Sequence, residues 1–386
     1  MKNTIKMSLV AAIAVAGLTS TSSASTLAEA FSASTVKGEI KSQYFAQESA
    51  TQENSNVLNT GGNLSFKTGS FNGLTAGVTF QTAHVINDND KTRGYYNSNQ
   101  DVSGSVMSES YLAYTLENTT AKIGRQYIST PLIAGSGSRI LKESFEGYVL
   151  VNTDIANTTL VAAYVNKFQA RTDGNGGVAS FSESKATDGA YTVYAKNTSI
   201  DNLTLRAAYA AINNEAANSD KKVIYIDAKY KFNPVTVALQ TYQSDNGEAT
   251  NSDGSQYGIK VSGKVGMVSL MAAYAKISDD GKLVLGLGNA AEQSFAEGNF
   301  ASGLTAADTT SYRVAIGTKI NDIKLDLGHA DWDAKGKDGT ETNLTVGYAV
   351  NKEASVKVRH SVFGDAYSEG ANGIDSRTRV YLSYKF

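Results

Sequence analysis

The chain has 386 residues, no cysteine, three histidines, 35 basic against 37 acidic side chains and a formal net charge of −2 at pH 7. Without thiols, zinc–thiolate centres, thiol nucleophiles and disulfide staples are excluded, and the near-neutral balance gives no support to a nucleic-acid partner or a polybasic membrane anchor. His84, His329 and His360 lie far apart in sequence, which argues against a metal site or a histidine-centred catalytic set, and nothing in the chain calls for a cofactor.

Residues 1–24 carry a basic start (Lys2, Lys6), an apolar run from Met7 to Leu18 and small residues at Ser22-Ser23-Ala24, the pattern of a secretory signal peptide. That run is too short to cross a bilayer as a helix, which needs about 20 residues. From residue 25 onward no apolar run approaches that length. Residues 25–34 read as a short lead-in.

Beyond the lead-in the chain alternates apolar and polar residues in segments bounded by Gly, Asn, Asp and Ser. The segments fall at 35–46, 61–69, 74–85, 105–117, 119–128, 144–155, 158–168, 188–197, 202–212, 221–232, 234–244, 255–265, 267–277, 310–320, 322–332, 341–350, 354–364 and 376–386. That predicts eighteen strands. The connections alternate in length: short ones such as 70–73, Asn118, Asn233, Gly266 and Asn321, and long ones such as 86–104, 129–143, 169–187 and 278–309. Short turns on one side and long loops on the other, with strands of about ten residues, form the pattern of an outer-membrane β-barrel. With 35 Gly, 21 Tyr and only 2 Pro, the composition agrees. A secreted β-sandwich or solenoid would need linkers and shorter strands, and no linker is visible. Residues 35–386 therefore read as one all-β, antiparallel transmembrane barrel of about eighteen strands, in the cell outer membrane, with the lead-in on the periplasmic side.

Parity then sorts the charges. A Lys or Arg on the lipid face near the midplane costs about 2–4 kcal/mol, so the apolar parity points outward. This sends Lys37, Glu39, Lys41, Glu109, Arg206, Asp227, Lys229, Lys260, Arg313, Lys357, Arg359 and Arg379 inward as a pore wall with more bases than acids, along with Lys324, Asp326 and Lys385. His360 is expected to face out. The last strand ends on Val380, Leu382, Tyr384 and Phe386 at alternate positions, all facing lipid, and must close against the first strand because lipid tolerates no open sheet edge.

The third long loop contains Pro131-Leu132-Ile133 and Ile140-Leu141, more apolar than a water-exposed loop should be, and is expected to fold back onto the inner wall. Across 121–165 the chain resembles the OprD-type outer-membrane porins through Gly124-Arg125-Gln126, Pro131-Leu132, Ser138-Arg139-Ile140-Leu141 and Ser144-Phe145-Glu146-Gly147. The mature N-terminus and the terminal Phe resemble them too. Lys142-Glu143 depart from the family pattern, which usually has a proline near the end of this loop. The resemblance implies an eighteen-stranded porin whose third external loop narrows a channel for passive diffusion of small hydrophilic solutes or ions. It also implies constriction candidates Arg139, Lys142, Glu143 and Glu146, with Arg125 there or at the outer rim. Phe386, Tyr384, Leu382 and Val380 would form the signal read by the barrel assembly machinery. Lipid and lipopolysaccharide are the expected surroundings, and a homotrimer is left open. The competing classes are weaker. An outer-membrane enzyme lacks a nucleophile or acid–base set, and a non-transporting structural or adhesive barrel would have no use for an inward apolar loop and a basic wall. Gly135-Ser136-Gly137 and Gly286-Leu287-Gly288 lack the strand–helix setting of a phosphate loop.

Overall fold

The computed structural model describes residues 24–51, 53–88, 100–183, 188–213, 220–247, 253–301, 304–334, 338–365 and 373–386; all but the last residue of the expected signal peptide, 1–24, lies outside them. A short helix, α1 (Leu27–Ser32), leads in. The strands follow in chain order: β1 (Thr35–Ser49), β2 (Ser55–Lys67), β3 (Leu74–Asp88), β4 (Gly104–Leu116), β5 (Thr119–Gln126), β6 (Ser144–Asn152), β7 (Thr158–Gln169), β8 (Phe181–Ser182), β9 (Ala190–Asn197) and β10 (Leu203–Ile212). Then come β11 (Lys221–Lys231), β12 (Val235–Asp245), β13 (Asp253–Val265), β14 (Val268–Ile277), β15 (Thr310–Ile320), β16 (Ile323–Asp333), β17 (Gly339–Ala349), β18 (Ala354–Asp365) and β19 (Ile374–Lys385).

Every pairing between them is antiparallel. β1 bonds to both β2 and β19, with Ile40 opposite Gly62 on one side and Tyr384 on the other, so the sheet closes on itself. β7 pairs directly with β9, and the two-residue β8 hangs on the end of β7. Eighteen long strands thus form a closed barrel with one short strand added. Closure is what lipid demands, because no backbone N–H or C=O at an edge could find a partner there.

The short-turn end shows why the chain reverses where it does. Asn72, Asn157, Asn202, Asn233 and Asn321 take positive φ, between 35° and 63°, and Gly266 does the same at 59°. Tight hairpins need that left-handed conformation, and Asn and Gly reach it at least cost. Between β4 and β5 the positive φ of 51° belongs to Glu117, not to the Asn118 that the sequence suggested. At the same end, α1 is closed by a capping box, with Glu29 N donating to Thr26 Oγ1 (3.2 Å) and Thr26 N to the Glu29 carboxylate (3.1 Å). Gly69 N donates to Ala30 O, which seats the helix on the β2–β3 turn.

Outward parity is largely apolar and exposed: Ile40, Leu64, Leu112, Leu150, Val193, Ile226, Leu239, Val314, Leu327, Leu344 and Leu382 all keep large exposed areas. Phe386 closes the last rung. Its backbone exchanges both hydrogen bonds with Gly38 of β1 (2.9 and 3.1 Å), and its ring lies over that glycine, where any Cβ would collide. The packed core is not central but sits in the half of the lumen nearest the long loops. There the inward residues turn apolar (Val165, Ile212, Val223, Tyr242, Trp332, Phe363) and loops cover them. Toward the short turns the inward positions include charged side chains, such as Lys37, Lys122, Lys229 and Lys385.

Candidate pore lining

Two loops, not one, fold into the barrel. The third external loop (127–143) buries Leu132, Ile133, Ile140 and Leu141 completely or nearly so, as its apolar composition predicted. The seventh (278–309) runs alongside it. Leu287 N donates to Leu132 O (2.8 Å), Ala134 N to Leu287 O (3.0 Å) and Glu292 N to Pro131 O (2.7 Å). The approach needs glycine. A Cβ on Gly286 or Gly288 would strike the carbonyls of Leu132 and Ala134, and Gly288 has φ +90°. These glycines, which made no sense as a phosphate loop, serve backbone contact between two loops.

The inward fold of the seventh loop was absent from the sequence expectation. Its signal was the same as that of the third: Leu283, Val284, Leu285, Leu287, Phe295, Phe300 and Leu304 are too apolar for a loop in water. It crosses from the wall of β10–β12 to the wall of β17–β19 and β1. Leu283 packs with Val223, Tyr225 and Tyr242 at one end, and Phe300 meets Phe45 edge-on at the other (centroids 6.3 Å).

Two buried carboxylates hold these loops. Glu143, fully buried, accepts from Ser136 N (2.9 Å), Asn289 N (2.9 Å) and Asn289 Nδ2, and lies 3.5 Å from Arg171 Nε. It locks the third loop to the seventh and is sealed from the lumen, which corrects its reading as an exposed constriction charge. Glu341 on β17, also fully buried, accepts from the N–H groups of Asn299, Phe300 and Ala301 (2.8–3.2 Å) and from Ser361 Oγ (2.6 Å). Nothing local in the sequence marked Glu341.

Arg139 reaches the wall of β1 and β19. Lys41 Nζ donates to its carbonyl (2.9 Å), and Tyr381 Oη donates to Ser138 O (2.8 Å). Burial first, then the nearby Arg171 and Arg379 cations, push the Arg139 guanidinium down to about 9, and it stays charged at neutral pH. Burial pushes Lys142 and Arg171 down as well. The Lys142 ammonium lies over the Tyr127 ring (3.9 Å), and its backbone is clamped by both ends of the Gln81 amide. Arg377 and Arg171, both missed in the sequence reading, extend this basic patch.

On β1, β18 and β19, Lys37, Glu39, Lys41, Lys357, Arg359, Arg379 and Lys385 share the inward parity, with Arg359 directly opposite Arg379 and Lys357 opposite Tyr381. Arg379 sits 5.0 Å from the rings of both Phe45 and Phe300 and donates to Tyr381 Oη (3.1 Å). Lys41, Lys357, Arg359 and Arg379 make no ion pair among the described residues. Most of the charges elsewhere on the wall have partners. Arg206 bridges Asp227 (2.6 Å) and Glu292 (2.7 Å), and Lys260 covers the Phe295 ring (4.0 Å). Arg313 donates to Glu297 O (2.5 Å) and Asn299 Oδ1 (3.2 Å). Glu109 faces Lys122 (3.6 Å) and accepts from Thr79 Oγ1 and Tyr127 N, while Asp326 pairs with Lys324 (2.7 Å). Lys229 lies inward and exposed toward the short turns.

Glu146 and Arg125 are not in the lumen. Glu146 has the parity of Tyr148 and Leu150, Arg125 that of Ile123, and these three neighbours stand on the outer face; Phe145 and Gln126 point in. There Glu146 pairs with Arg125 Nε (3.0 Å) and Lys167 Nζ (3.0 Å). His360 also faces out, hydrogen-bonded to Thr378 (2.8 Å).

A family model described as Campylobacter major outer membrane protein matches residues 1–258 of the chain. No curated protein matches it. Among solved structures, Acinetobacter baumannii OccAB2 superposes with a TM-score of 0.77 at 16% identity, covering 92% of this chain and 99% of that one. A BenF-like porin from Pseudomonas fluorescens Pf-5 gives 0.76 at 14% identity, over 92% and 99%. Acinetobacter baumannii OccAB1 gives 0.74 at 16% identity, over 92% and 96%. At such identities the likeness is one of fold.

Proposed function

The chain belongs to the Campylobacter major outer membrane protein family, and from that premise we propose that its barrel is an outer-membrane porin, a water-filled route for passive diffusion of small hydrophilic solutes and ions that favours anions and carboxylate-bearing molecules. The protein sits in the outer membrane with its long loops outward. The fold it shares with a BenF-like porin supports a diffusion channel over a structural or adhesive barrel.

One observation carries the preference for anions. The wall of β1, β18 and β19 carries Lys41, Lys357, Arg359 and the buried Arg379 without a carboxylate partner among the described residues, while Glu143 and Glu341 are sealed inside loop anchors and Asp227 and Glu292 are bound to Arg206. A chain of net charge −2 thus turns a basic surface toward the space between its loops and that wall. Within about 8–10 Å at physiological salt such fixed charge is not screened away. Arg139 and Lys142 bring the third loop to the same side and would complete the narrow zone. The test is the reversal potential in planar bilayers under a salt gradient, for the wild type and for Arg139→Glu and Arg359→Glu. Anion selectivity that falls in both variants is the expected result; selectivity unchanged by either reversal sinks the reading.

The terminal strand, with Phe386 over Gly38, fits the signal read by barrel assembly machinery, and loss of Phe386 should lower membrane insertion more than it unfolds inserted barrels. A homotrimer would pack best through β1–β4. There the outer face carries Ser42 bonded to Thr60 (3.1 Å), Thr82 beside Ser105 (3.4 Å) and His84 in place of aliphatic residues, and chemical cross-linking in outer-membrane vesicles reads this directly.

A further inference from the structure

The outward ion cluster of Arg125, Glu146 and Lys167 needs an explanation. A cation on the lipid face costs about 2–4 kcal/mol at the midplane and falls to about 0–1 near the interface, so these residues belong where headgroups are. Three successive outward rungs across β5, β6 and β7 give the setting. The lowest is Ala121–Leu150–Ala162, the next Ile123–Tyr148–Tyr164, and the highest, toward the long loops, Arg125–Glu146–Lys167. The Tyr148 and Tyr164 rings lie 6.3 Å apart, as in an interfacial aromatic girdle. Below them the small side chains of Ala121 and Ala162, between the larger Leu112, Tyr114, Leu150 and Val193, leave a groove of about 660 Å³ running down the outer face from β3 to β9.

We propose that this face seats one phosphorylated, multiply acylated lipid of the outer leaflet, the lipid anchor of lipopolysaccharide, with an acyl chain in the groove and a phosphate on Arg125 and Lys167. Charge complementarity selects this occupant. Glu146 engages Arg125 through Nε alone, which leaves both terminal guanidinium nitrogens without a hydrogen bond among the described residues. The Lys167 ammonium has donors to spare beyond its one bond to Glu146. The side chains of Arg125 and Lys167 are 38% and 35% exposed, open to a ligand, and the Phe181 ring lies 4.3 Å from the guanidinium. A planar guanidinium fork binds phosphate bidentately, and the cluster's net charge of one plus is opposite to that of the headgroup. The proposal concerns the outer face and stands whether or not the lumen selects anions.

The experiment uses the full-length protein in detergent and reads lipid retention by native mass spectrometry, with bisphosphorylated lipid A, phosphate-free lipid A and inorganic phosphate as probes. The wild type should retain bisphosphorylated lipid A about tenfold more strongly than does the Arg125→Ala/Lys167→Ala variant, and more strongly than it retains the phosphate-free lipid. Ala121→Trp, which fills the groove and leaves both cations in place, should also weaken retention and gives an independent arm if the double variant does not fold. Equal retention of phosphate-free lipid A overturns the headgroup assignment. Retention unchanged in Ala121→Trp, together with displacement by inorganic phosphate alone, reduces the site to a surface anion contact and overturns the lipid seat.

Discussion

Two stretches of the lumen wall carry arginine at the same inward parity and use it in opposite ways. On β10 and β11, Arg206 is held between Asp227 and Glu292, with the Tyr225 hydroxyl as a third partner at 3.2 Å. On β18 and β19, Arg379 lies among the rings of Phe45, Phe300 and Tyr381, with Arg359 on the neighbouring strand and no carboxylate bound to it among the described residues. The first arginine is part of the scaffold, because Glu292 belongs to the seventh loop and the ion pair fixes that loop to the wall. The second is a source of field. A cation with its counter-charge built in is neutral to a passing solute, whereas one without it must find its counter-ion in the channel. Residue type is the same; the partner decides the role.

That comparison can be broken by mutation, most forcefully at the anchor joining the seventh loop to the wall near Arg379. Glu341→Ala would strand the amides of residues 299–301 and should cost about 4 kcal/mol, since each orphaned buried donor costs about 1–3 kcal/mol. The denaturant midpoint of the refolded barrel measures it, and open-channel conductance should become noisier as the loop comes loose. A smaller loss is expected from Arg206→Gln, about 3 kcal/mol, because Asp227 is left buried without its cation. Its ion selectivity should stay close to that of the wild type. Arg379→Gln should do the reverse, with a smaller loss of stability than Arg206→Gln and a clear shift of the reversal potential toward cations. A result in which Arg206→Gln changes selectivity and Arg379→Gln changes only stability would invert the assignment of the two walls. The mildest effect belongs to Lys357→Gln, a partial loss of anion preference. Raising salt from 0.1 M to 1 M should mimic it, since the Debye length falls from about 10 Å to about 3 Å; selectivity that holds at 1 M would point to a binding ring in place of a diffuse field.

Much of this architecture was legible in advance, and the reasons are particular. Strands were readable because lipid outside and water inside impose period two on each segment, so Ile224-Tyr225-Ile226-Asp227 announces its two faces without reference to any other strand. Turns were readable where Asn or Gly marks a left-handed residue, and misread at Glu117, whose side chain gives no such hint. The inward fold of the third loop was legible from Pro131 to Leu141, and the same criterion would have found the seventh. Glu146 is an instructive error. The motif resemblance drew it into the pore, while its own parity with Tyr148 and Leu150 placed it on the outer face.

By itself, then, the sequence determined the barrel: strand number, inward and outward faces, short and long ends, and the pairing of Phe386 with the first strand. Each of these follows from local alternation plus the single constraint that lipid forbids an open edge. Only the tertiary structure decided which charges act. Glu143 meets Asn289 across 146 positions of chain, and Glu341 meets the backbone of residues 299–301 from another strand. Whether a carboxylate is sealed beneath a loop or an arginine is left without a carboxylate among the described residues depends on such distant encounters, and the period of a strand carries no record of them.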